Sequence, residues 1–113
     1  VVRGALLGLA TLGDPASVPF LARLLTDNSD EALQLGAIAA LGRTGSTDAI
    51  PPLLAIVNRR QLITTKRVQR LKLAAIEAIG RTGVPAARDV LQGIATGSDA
   101  ELSAEARRAL SLI

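Results

Sequence analysis

The chain has 113 residues, 49% hydrophobic and 20% charged, with a net charge of +3, which is the profile of one foldable domain and not of a disordered tail. It contains no His, Cys, Met, Trp or Tyr and a single Phe, so most zinc and copper sites, disulfides, Ser-His-Asp or Cys-His catalysis and aromatic base-stacking platforms are excluded. With 20 Ala and 19 Leu the composition favours helix over strand, and no residue type singles out a reaction, a cofactor or a metal.

In chain order the helices alternate between two kinds, A and B, with a period of about 30 residues. The first A helix is expected over Leu6, Leu9 and Leu12, with Gly4 and Gly8 on its small-residue side. Gly13 ends it, and Asp14-Pro15 starts the first B helix, whose apolar positions are Val18, Leu21 and Leu24. Thr26-Asp27-Asn28-Ser29 is a short loop. Asp30 and Glu31 suit the positive end of the second A helix, which carries Leu35, Ile38 and Leu41 beside a stripe of Ala37 and Ala40.

The turn Gly42-Arg43-Thr44-Gly45 and the start signal Thr47-Asp48 lead into the second B helix, with Ile50, Leu53 and Ile56. Pro51 and Pro52 fall in its first turn, where a missing N–H costs nothing. The third A helix carries Leu73, Ile76 and Ile79 with Ala75 and Ala78, and ends in Gly80-Arg81-Thr82-Gly83. The third B helix is marked by Leu91 and Ile94. Thr96-Gly97-Ser98-Asp99 is the next loop, with Ser98 and Glu101 spaced as a capping box for the fourth A helix.

That last helix departs from the pattern. Arg107 stands where the earlier copies have Leu9, Ile38 and Ile76, and Ser111 stands in the glycine column. Either the helix is the exposed end of the array, or its register slips so that Ala106, Ala109 and Ile113 face inward.

A larger departure is an insertion between the second B and third A helices, over residues 58–72. It holds Arg59, Arg60, Lys66, Arg67, Arg70 and Lys72, six of the chain's 13 basic residues. No acid occurs between Asp48 and Glu77, so this interval carries +6 and the rest of the chain −3. These six residues are the candidate partner-binding site, suited to an acidic protein surface, a nucleic acid backbone or a lipid headgroup. The alternative is an extended helix end with a solvated loop, onto which Leu62 and Ile63 fold back. Arg43 and Arg81 sit in equivalent turns on the opposite edge and are expected to cap carbonyls or pair with Asp48 and its neighbours.

One helix pair cannot bury both its apolar faces, but stacked pairs can. The fold is therefore an all-α solenoid of stacked antiparallel helix pairs, with seven helices, four A and three B, in a single domain over residues 1–113. The B helices are expected to line a concave face, where Arg23 and Gln92 would contribute. Val1, Val2, Leu6, Leu7 and Leu9 lack a polar face, so further repeats or a self-contact are expected on that side, in a chain cut from a longer protein.

Uncharged runs reach only about eleven residues, too short to cross a bilayer. The absence of Cys fits a reducing, cytoplasmic compartment.

The segments Ala39-Ala40-Leu41-Gly42-Arg43-Thr44-Gly45 and Ala49-Ile50-Pro51-Pro52-Leu53-Leu54, with their copies starting at Leu12 and Ala78, resemble HEAT repeats. They are similar to the short bacterial and archaeal type also found in phycobilin lyase subunits. The resemblance spans nearly the whole chain and implies a non-catalytic protein-interaction scaffold without cofactors. HEAT-type hydroxylases bind iron through His-Glu pairs, and HEAT-type alkylpurine glycosylases line a cleft with aromatics; neither residue set exists here. Two alternatives remain beside the scaffold: phosphate-backbone binding through the basic edge, and a bilin lyase-like or other enzyme accessory subunit.

Overall fold

The computed structural model describes residues 18–27, 30–59 and 65–112. The first A helix, the Asp14-Pro15 start signal, the Val1–Leu9 face and Ile113 lie outside them, as do Arg60, Leu62 and Ile63. Six α-helices and one 3-10 turn make up the described residues, with no strand among them. They are α1 (Val18–Asp27), α2 (Glu31–Arg43), the 3-10 turn Thr47–Ala49, α3 (Ile50–Val57), α4 (Lys66–Thr82), α5 (Pro85–Ala95) and α6 (Ala100–Ser111). In the A/B alternation, α2, α4 and α6 are A helices and α1, α3 and α5 are B helices, as the periodicity predicts.

Local chemistry sets the boundaries. Asp30 caps α2, its Oδ1 accepting from Ala32 N at 2.8 Å and Leu33 N at 3.3 Å. Ser46 caps the 3-10 turn, and prolines occupy the first turns of α3 and α5. At α6 the cap is Asp99 and not the Ser98 of the expected capping box: Asp99 Oδ1 accepts from Glu101 N and Leu102 N, at 3.0 and 3.1 Å. A carboxylate there also meets the positive helix end, which a serine hydroxyl does less well.

The two Gly-Arg-Thr-Gly turns are conformational copies. Thr44 and Thr82 each donate Oγ1 to the carbonyl three residues back, Leu41 O and Ile79 O, both at 2.7 Å. Gly45 and Gly83 follow with φ of 63° and 66°, the left-handed conformation that ends a helix at little cost only for glycine. The arginines of these turns do not act as expected. Arg81 pairs with Glu77 one turn back at 2.8 Å, because i, i+4 neighbours on one helix face are closer than the far side of the turn.

The core is continuous. Leu21, Ile38, Leu41, Leu53, Ile76, Ile79 and Leu91 are all fully buried. Each B helix packs chiefly against the A helix that follows it, and successive A helices pack against one another. The A–A seams are made of the small-residue stripe. A Cβ on Gly42 would stand 3.0 Å from Ala78 backbone atoms, and one on Gly80 would stand 3.1 Å from Ala109 Cβ. In contrast, α3 and α5 touch only lightly. The A helices thus form the tighter layer.

Two polar side chains stitch the layers together. Gln34 of α2 donates Nε2 to Leu25 O at the end of α1, at 3.4 Å, and Ser103 of α6 donates Oγ to Ala95 O at the end of α5. Both side chains are buried, so each bond satisfies a polar group that the packing has taken largely out of water. The equivalent position in α4 is Lys72.

In α6 both expectations about Arg107 hold in part. Arg107 is exposed, with Nη2 on Ser103 Oγ at 2.9 Å. Ala106 and Ala109 are buried, yet no register slip is needed, since the equivalent Ala37, Ala40, Ala75 and Ala78 are buried too. That stripe is the side turned to the preceding A helix.

Candidate functional site

The basic insertion is part connection and part helix. Thr65 caps α4, its Oγ1 accepting from Val68 N at 3.2 Å. The helix therefore begins at Lys66 and runs 17 residues, against 13 in α2 and 12 in α6. Lys66, Arg67, Arg70 and Lys72 thus lie on its N-terminal half. Arg59 follows the end of α3, its N–H donating to Ile56 O at 3.2 Å. Arg60 lies outside the described residues.

The four helical cations stand at the wrong end for the helix dipole, and α4 has no acid in its first turn. Its neighbours supply the compensation. Arg70 forms a bidentate pair with Glu31 of α2, Nε to Oε2 at 2.7 Å and Nη2 to Oε1 at 2.8 Å. Arg67 donates Nη2 to Gln34 Oε1 at 3.1 Å. On the other side, Gln69 donates Nε2 to Glu101 Oε1 of α6 at 2.7 Å. First-turn carboxylates of α2 and α6 therefore flank α4 on both sides.

The hydrogen bond from Arg70, reinforced by the charges of Arg70 and Arg67, holds the Glu31 carboxyl below the ordinary glutamate value despite some desolvation. The same bond raises Arg70. Glu31 and Gln34 are the residues that sequence reasoning missed. Their partners lie a full repeat away, and nothing local in the sequence signals such a pairing.

The six candidates are thus not one uniform patch. Arg67 and Arg70 are engaged within the fold. Among the described residues Arg59, Lys66 and Lys72 make no side-chain hydrogen bond or ion pair. Lys66 is exposed, while Arg59 and Lys72 are half-buried. The α3–α4 junction therefore offers three uncommitted cations beside two that fix the geometry of the helix carrying them.

Among the described residues, no cluster of His, Cys, Asp or Glu is arranged to hold a metal ion. No described helix is long and apolar enough to cross a membrane.

A family model described as HEAT repeats matches residues 1–64. No curated protein and no solved structure matches the chain. The matched span takes in α1, α2 and α3, and the second Gly-Arg-Thr-Gly turn and its Gly-on-Ala seam carry the same geometry on to α6.

Proposed function

The chain belongs to the HEAT-repeat family, and from that premise we propose that it is a non-catalytic module that docks a protein partner through the basic junction of α3 and α4. One observation carries this reading: Lys66 and Lys72 in the first turns of α4, and Arg59 just after the end of α3, stay uncommitted beside a helix start held by Arg70–Glu31 and Arg67–Gln34. Uncommitted cations on a helix start whose position is already held suit a surface carboxylate cluster, because little backbone freedom is lost on docking.

Nucleic acid is the second reading, favoured by the same cations. Its strength is bounded by their number. Each neutralised phosphate adds about −0.9 to the salt slope on logarithmic axes, so about three cations would give only about −3. An acidic protein surface adds apolar contacts that a phosphate backbone does not.

Fluorescence anisotropy tests the choice. A labelled peptide rich in Asp and Glu and a labelled DNA duplex are titrated with the wild-type chain and with the Lys66→Glu/Lys72→Glu variant. The proposal expects the acidic peptide to bind the wild type at physiological salt and the variant to lose it. Duplex binding that survives physiological salt and vanishes in the variant would replace it with the nucleic-acid reading.

A further inference from the structure

Between α3, α5 and the first turn of α6 lies a groove of about 420 Å³, open to solvent. It exists because the two layers are spaced differently. Gly-on-Ala seams hold the A helices close, while α3 and α5 barely touch. In addition, α3 is only 8 residues long and ends at Val57, beside a longer α5. The floor is aliphatic: Leu54 and Val57 from α3, Val90 and Ile94 from α5, and Leu102 from α6. Its size falls within the range that accepts several side chains of a ligand.

Gly93 of α5 lines the same groove, and a Cβ built on it would meet nothing within 4 Å. A glycine inside a helix costs roughly 0.5–1 kcal/mol relative to alanine. No packing within the described chain requires it. What its absent side chain provides is room for close approach to the α5 backbone from outside.

The rim is acidic. Asp89 and Asp99 both line the groove and both are exposed, and no basic side chain lines it. Asp89 makes no ion pair among the described residues, and the Asp99 cap uses only Oδ1. An unpaired Asp89 carboxylate and the free Oδ2 of Asp99 beside an apolar floor select against acidic partners and for a cation beside a hydrophobic anchor.

We infer that this groove docks a short segment of another protein that seats an aliphatic side chain against the α5 backbone at Gly93 and sets a Lys or Arg against Asp89 and Asp99. The site is distinct from the basic junction and opposite in charge, so the two readings stand or fall separately. A second copy of this chain is the competing occupant.

The test is a selection of displayed random peptides on the wild-type chain. The leading enriched peptide is then titrated against wild type, Gly93→Leu and Asp89→Lys. Gly93→Leu places a side chain in the groove at a position where a Cβ meets nothing within 4 Å, and replaces a poor helix former with a good one, so its melting temperature should not fall. The inference expects enriched peptides to pair an aliphatic residue with Lys or Arg, and expects each variant to weaken binding by about tenfold or more. It is overturned if nothing is enriched, if acidic peptides are enriched, or if Gly93→Leu binds as well as wild type. It is also overturned if the wild type forms a dimer in sedimentation that Gly93→Leu abolishes, which would assign the groove to self-association.

Discussion

Arg70 grips both carboxylate oxygens of Glu31, through Nε at 2.7 Å and Nη2 at 2.8 Å, and so ties the first turn of α2 to the second turn of α4. The pair joins two consecutive A helices at the end where α4 carries its uncommitted cations. It is exposed, so its contribution is screened by salt.

The pair gives folding a pH dependence of known sign. Arg70 stays charged throughout, so only Glu31 titrates. Its folded value lies below the ordinary 4.5. The stabilisation is thus complete above pH 4.5 and is lost as the pH falls through the lowered folded value. Urea denaturation of wild type and Glu31→Gln should differ at neutral pH and converge in acid. A gap that stays constant would show that the pair does not carry the difference.

Lys66→Glu should separate binding from stability. An acid in the first turn of α4 suits the helix dipole, by about 0.3–1 kcal/mol. Thermal melts should therefore show a small rise, while affinity for an acidic peptide falls. Loss of both would mean that Lys66 has a structural role.

Two glycines should respond in opposite directions. Gly42 faces Ala78 backbone at 3.0 Å, so Gly42→Leu should destabilise by about 1–3 kcal/mol as α2 and α4 are forced apart. Gly93 faces open space, so Gly93→Ala should stabilise by about 0.5–1 kcal/mol. Denaturant midpoints for the two variants, each against wild type, check both signs.

Ser103→Ala removes the stitch between α6 and the end of α5, and takes a partner from Arg107. A buried hydrogen bond of this kind is worth about 1 kcal/mol. The loss should appear as a lower urea midpoint with an unchanged slope. A changed slope would indicate that α6 detaches as a separate unit.

Much of the fold was legible because its rules are local. The Gly-Arg-Thr-Gly copies predict two left-handed turns, and Gly45 and Gly83 adopt them. The stripes of Leu/Ile and Ala predict which faces are buried, down to Ala106 and Ala109 in α6. What failed depends on distances between helices. Tightness of the A layer follows from Gly42 meeting Ala78, which no periodicity reveals. The six basic residues were found by composition alone. Their division into engaged and uncommitted groups was not, because Glu31 and Gln34 meet them only after α2 and α4 stack. The groove left a single trace in the sequence, a glycine in the last turn of α5.

Because the two turns and the two Gly-on-Ala seams are alike, the array is built from interchangeable parts. Excising residues 46–83 would join Gly45 to Val84 through the same kind of turn and would bring Gly42 against Ala109 in place of Ala78. The shortened chain keeps α1, α2, α5 and α6 but discards α3, α4 and everything that docks on them. Such a spliced version separates the repeat framework from the basic α3–α4 junction in one cut, and the same logic permits lengthening by duplication at the same joints.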